Sequence, residues 1–152
     1  MKKTIYTALL SLVGLNLNAQ FVATVEIKEP IEGICNDQEV YALFPMLDGQ
    51  VEAVCPLTDD EIVKRLNAEV QFLKDNPKFK GEGMVSVMIN CKGEVVQCKI
   101  DNETKSTELD EQIVAIFKTI NEGWKAGKLN KKSVDSILLY SFTVKKGVIS
   151  FD

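Results

Sequence analysis

Residues 84–100 read Met84-Val85-Ser86-Val87-Met88-Ile89-Asn90-Cys91-Lys92-Gly93-Glu94-Val95-Val96-Gln97-Cys98-Lys99-Ile100. An apolar run, a polar turn containing Gly and a second Val-rich run spell a β-hairpin. Burial sets its register. With Asn90 opposite Val95, the side chains of Val85, Val87 and Ile89 share a face with Val96, Cys98 and Ile100. A slip of one residue would put Gln97 and Lys99 on that face, so the first register is favoured.

Downstream, a helix opens at Ser106 or Thr107. Leu109, Ile113, Ile116, Phe117 and Ile120 form its apolar stripe, and Gly123 is its expected stop. A loop over 124–132 follows, carrying the sole Trp, Trp124. Residues 136–145 then alternate as a strand. Leu138, Tyr140, Phe142 and Val144 lie on one face; Ile137, Leu139, Ser141 and Thr143 lie on the other. Lys146-Gly147 turns the chain, and residues 148–151 return as a short strand.

Upstream, Thr58-Asp59-Asp60-Glu61 is a capping box. Val63, Leu66, Val70 and Leu73 continue it as one apolar stripe, and Asn76-Pro77 stops the helix. Residues 20–57 hold only short apolar runs, at 21–27, 40–44 and 51–55, each broken by Pro or Gly. They read as an irregular, strongly acidic N-terminal segment laid against the domain. The expected organisation is a signal peptide over 1–19, this acidic segment over 20–57, and one domain over 58–152.

The first residues fit a secretory signal: Lys2 and Lys3, a mostly apolar run from Ile5 to Leu17, and a cut near Ala19. The apolar run is shorter than the roughly 20 residues of a bilayer span. Cleavage would remove two Lys and no acid, leaving sixteen basic against twenty-two acidic side chains, a net charge of −6. A periplasmic or secreted location is expected. Nucleic acid is not an expected partner, because the balance is acidic and no aromatic residues interleave with the later Lys residues.

The chain contains no His. That removes the commonest general base, the Ser-His-Asp and Cys-His pairings and most mixed zinc sites. The acidic pairs Asp59-Asp60 and Asp110-Glu111 sit at helix starts, where capping accounts for them. No enzyme activity, cofactor or metal is expected. Trp124 reads first as an anchor between helix and sheet.

Cys35, Cys55, Cys91 and Cys98 allow three complete pairings. In an oxidising compartment disulfides are the first expectation. Cys91–Cys98 is disfavoured, because roughly 13 Å of hairpin separates the two and a bridge needs Cα atoms within about 7 Å. The favoured bridge is Cys35–Cys55, with Cys98 a buried thiol. Bridges from the N-terminal segment to the hairpin are the rival. No C-x-x-C spacing supports a zinc or redox site.

Several of these motifs together resemble the TonB C-terminal domain family. Asn90-Cys91-Lys92-Gly93-Glu94 resembles its hairpin turn. Leu109-Asp110 opening an apolar helix is similar to its Leu-Asp-x-x-Ala helix. Trp124-Lys125-Ala126-Gly127-Lys128 is similar to its Trp-x-Pro-Gly loop, and Asn76-Pro77-Lys78-Phe79 to its helix exit. The match spans roughly residues 59–146. Ala126 replaces the usual Pro, and Lys131 stands where Gly is common.

The resemblance implies an α+β domain, two helices packed on a three-stranded antiparallel sheet. It also implies a task, the capture of an extended segment of an outer-membrane receptor or other envelope protein by β-strand addition. The implied partner-binding residues are Ile137, Leu138, Leu139, Tyr140, Ser141, Phe142 and Thr143 on the last strand, with Trp124, Lys125 and Gly127 beside it. The sequence shows neither an uncleaved membrane anchor nor a long Pro-rich span, so a freestanding exported module is expected rather than a force transducer. A secreted structural or inhibitor-like domain with a covered edge is the alternative. An exposed edge can also pair with its own copy, so a homodimer belongs among the expected partners.

Overall fold

The computed structural model describes residues 21–152, so the expected signal peptide lies outside the described residues. The first strands are β1 (Ala23–Glu26), β2 (Glu39–Ala42) and β3 (Gln50–Val51). Helices α1 (Asp59–Glu69) and α2 (Gln71–Asp75) follow. Next come β4 (Lys80–Ile89), β5 (Val95–Asn102) and helix α3 (Thr107–Lys118). The chain closes with β6 (Gly127–Leu129), β7 (Lys132–Val134), β8 (Ser136–Lys145) and β9 (Val148–Phe151).

These elements correct the expected two helices on a three-stranded antiparallel sheet. The described residues form three helices, a six-stranded mixed sheet and a second, three-stranded sheet. The large sheet has the order β1-β2-β8-β4-β5, with β9 also paired to β8. Its pairs are antiparallel except β2 with β8, which run parallel. The small sheet is β3-β6-β7.

Each added element has an identifiable cause. The first helix breaks at Val70, whose backbone is extended (φ −72°, ψ 107°). Gln112 supports the break by accepting a hydrogen bond from the N–H of Phe72 at 2.9 Å. The 124–132 loop is a hairpin because Asn130 and Lys131 both adopt positive φ, 50° and 70°, the geometry of a type I′ turn. Lys146 and Gly147, at φ 57° and 72°, do the same for β8 and β9.

The capping box forms in full. Thr58 accepts from the N–H of Glu61, and the Glu61 carboxylate accepts from the N–H of Thr58 at 2.8 Å. The buried stripe of α1 runs through Ile62 and Leu66, with Val63 only half-buried. On α3 the stripe is as read, with Leu109, Ile113, Ile116, Phe117 and Ile120 all buried. The helix itself ends at Lys118, before Gly123.

The hairpin pairs Val85 with Ile100 and Val87 with Cys98. A bulge then makes Ile89 face Val95, so Val96 leaves the core face and packs beside Gly33. Phe142, Val144 and Ile149 complete the core between sheet and helices.

The opposite face of the sheet is covered too. Ser86 and Met88 are buried there, and residues 25–31 run past Met88, Gln97 and Lys99. The N-terminal segment is held by side chains. Gln50 donates to the Phe21 carbonyl and accepts from the Phe44 N–H. Gly33, Asn90 and Glu94 are joined through the Asn90 amide.

Candidate functional site

The residue pattern of β8 fixes what it can present. Leu138, Tyr140, Phe142 and Val144 face the helices, and Tyr140 stacks between Phe117 and Phe151 at 5.0 and 5.4 Å. Backbone groups project sideways from both edges. One edge pairs with β4 along the whole strand. The other was expected to be free from 136 to 145.

That expectation is corrected: native strands close both ends of the outer edge. β2 pairs at Ser136 and Ile137, and the Tyr41 N–H donates to the Asp135 carbonyl at 2.9 Å. β9 pairs with Phe142, Thr143, Val144 and Lys145. The Asp152 N–H donates to the Ser141 carbonyl at 3.1 Å. The reason is sequence-local: the Lys146-Gly147 turn throws Val148–Phe151 back, and burying Ile149 stabilises the return. The outer edge of β9 is closed in turn by Asn67, which accepts from the Ile149 N–H and donates to the Ile149 carbonyl.

Leu138, Leu139 and Tyr140 lie in the gap between β2 and β9, with no strand beside them among the described residues. Because Ser141 points its carbonyl outward, strand alternation directs the N–H and C=O of Leu139 outward as well. The gap opens on a cleft of ≈ 760 Å³ walled by Pro45, residues 50–59 and residues 138–140. Exposed Val51, Val54 and Leu139 give it apolar walls.

The polar groups of the cleft are quiet. Burial pushes the Cys55 thiol up, opposed by hydrogen bonds from Leu57 and Tyr140. Burial first, then the neighbouring Cys55, holds the Tyr140 phenol far above its ordinary value. Burial also raises the Glu52 carboxyl. A protonated thiol against a protonated phenol is not an activated nucleophile.

The remaining sequence candidates are dispersed. Trp124 is buried, its indole N–H donating to the Ile120 carbonyl at 2.7 Å. Lys125 exchanges both backbone hydrogen bonds with Val54. Gly127 is pressed against Leu43 and Ser136, where a Cβ would meet Leu43 Cδ1 at 2.5 Å. Ile137, Phe142 and Thr143 are engaged by β2 or β9. The structure therefore brings Leu138, Leu139 and Tyr140 together and leaves the Trp124 loop outside the cleft.

The disulfide joins Cys35 to Cys91, Cα atoms 6.0 Å apart. The favoured Cys35–Cys55 bridge is thus replaced by its rival, a link from the N-terminal segment to the hairpin. Cys55 is held beside Tyr140 by the neighbouring Val54–Lys125 bridge, and Cys98 is a buried thiol. Burial raises the Cys98 thiol to about 11.

Asp135 holds both half-cystines of this bridge, and sequence reasoning missed it. Its buried carboxylate accepts from the N–H groups of Cys35, Asn36 and Cys91, the last at 2.9 Å. The available signal was one acid, next to Val134, at the start of the strand that begins at Ser136. Cys35, Cys91 and Asp135 are the one group of metal-capable donors found among the described residues. Both sulfurs are committed to each other and the carboxylate to backbone N–H groups.

No protein-family model, no curated protein and no solved structure matches this chain.

Proposed function

We propose that this chain is an exported, non-enzymatic binding domain of the TonB C-terminal kind, which takes a short extended peptide at the gap in the β8 rim. The observation that carries the reading is Leu139, whose backbone faces an open apolar cleft between two native strands. Export is supported by the signal-like residues 1–19 and by the Cys35–Cys91 disulfide. By the resemblance, the occupant is a segment of an outer-membrane receptor or another envelope protein.

Strand addition in so short a gap is weak. About two main-chain hydrogen bonds contribute roughly 1–3 kcal/mol before ordering costs. Affinity must come mainly from apolar side chains against Val51, Val54 and Leu139. Capture is therefore reversible and limited to three or so residues of the partner.

The test is site-specific crosslinking. A photoreactive residue replacing Leu139 should give a discrete adduct with an envelope protein, and one replacing exposed Val25 should not. Equal labelling from both positions would refute the reading. The covered-edge alternative has its own support, since β2 and β9 already pair six of the ten β8 residues. Absence of any adduct at 139 would decide for it.

A further inference from the structure

The sheet has a second long strand with an unoccupied side. β5 is its terminal strand, eight residues long, and no strand pairs with its outer edge among the described residues. A groove of ≈ 500 Å³ runs between β5 and α3, with Ile100, Val114 and Ala115 along it. The ladder to β4 is regular from Gln97 to Ile100, with bulges at Val96 and Asp101.

The charges along this rim are ordered. Lys99 and Asp101 are both exposed, with Nζ and Oδ1 4.0 Å apart. On α3, exposed Glu111 and Lys118 stand on either side of Val114 and Ala115. The strand carries one base and one acid about Ile100; along the groove the acids Glu103, Asp110 and Glu111 lie toward one end and Lys118 at the other. Such a pattern is its own complement under a two-fold axis. We propose that β5 is a homodimer interface, two copies adding edge to edge in antiparallel fashion about Ile100.

In that register Ile100 faces Ile100 of the second copy. Lys99 faces Asp101 of the second copy, and Asp101 faces Lys99. A two-fold centred on Lys99 would set like charges opposite each other, which is unfavourable. The same axis turns the Glu111 end of one α3 toward the Lys118 end of the other. About Ile100 the paired stretch runs directly into the bulge at Asp101, so the ladder is short, the interface small and the dimer weak, with a dissociation constant on the order of 100 μM. This proposal does not rest on the β8 reading; each edge can fail alone.

Sedimentation velocity on the disulfide-intact protein, from roughly 10 μM to about 1 mM, measures it. Wild type should pass from monomer to dimer. Lys99→Asp and Asp101→Lys should each weaken the dimer at least about fivefold, because each places like charges opposite. The double variant K99D/D101K should return to within about twofold of wild type, since the swapped charges again oppose. Both side chains are exposed and outside the core, and thermal unfolding of each variant checks that it folds. Should a β5 variant misfold, the Glu111→Lys and Lys118→Glu pair on α3 repeats the same test. A monomer at every concentration overturns the proposal, including the case in which β5 serves a foreign peptide. So does association untouched by the single reversals, or a double variant that fails to recover.

Discussion

β8 and β5 flank the same central strand, β4, yet their outer sides are finished in opposite ways. β8 is buttressed by β2 at one end and β9 at the other, and Asn67 caps β9 beyond that. β5 is left bare, guarded only by two bulges and the exposed charges Lys99 and Asp101. β8 is apolar on one face and carries Ile137 and Leu139 on the other, so closing its edge protects a surface prone to aggregation; a bulged, charged edge can remain open safely. A strand that looks last in the sequence order need not be the rim of the sheet.

The contrast can be broken most strongly at Asp135. Asp135→Ala leaves three backbone N–H groups without their acceptor and should cost roughly 3–5 kcal/mol in denaturant unfolding. Hydrogen exchange should rise across 23–42 and at 136–137, with β5 unchanged. Next is the disulfide. Its separation is 56 residues, and replacing both Cys35 and Cys91 by Ser should cost about 2–4 kcal/mol, lowering Tm by roughly 10 °C.

Asn67→Ala removes the amide that closes β9. It should cost about 1–2 kcal/mol and speed exchange at Ile149 first. α1 packs on the same side, so its cap follows. Thr58→Ala should cost about 1 kcal/mol. The Thr58 N–H and hydroxyl hold the Glu61 carboxyl below its ordinary value. Its contribution is therefore complete above the unfolded-state pKa of a Glu and fades as pH falls through the lower folded value. An acid titration of α1 helicity should lose that step in Glu61→Gln. Smallest of all, reversing Lys99 or Asp101 should leave stability within about 0.5 kcal/mol, because both side chains are exposed.

Local chemistry was legible in the sequence. The Thr58–Glu61 capping box, the α3 stripe and most of the hairpin register depend on neighbours a few residues away, and they form as read. Long-range choices were not legible. The β2–β8 pairing rests on two residues of contact, too few to leave a pattern. The break at Val70 is supported by Gln112, forty positions beyond its hydrogen-bond partner Phe72. β6 and β7 have three residues each, below the length at which alternation is informative. At the candidate site, β8 and the return strand 148–151 were legible, the closure by β2 was not, and the link from Cys35 to the hairpin was read only as the rival pairing.

That carboxylate also imposes an order of events. Cys35 and Cys55 are synthesised before Cys91, and Asp135 arrives later still. Wherever oxidation overtakes synthesis, the first thiol Cys35 meets is Cys55, and the native link then requires exchange from that bridge. A cystine held at both of its N–H groups by a residue near the C-terminal end gains that support only after most of the chain has been made.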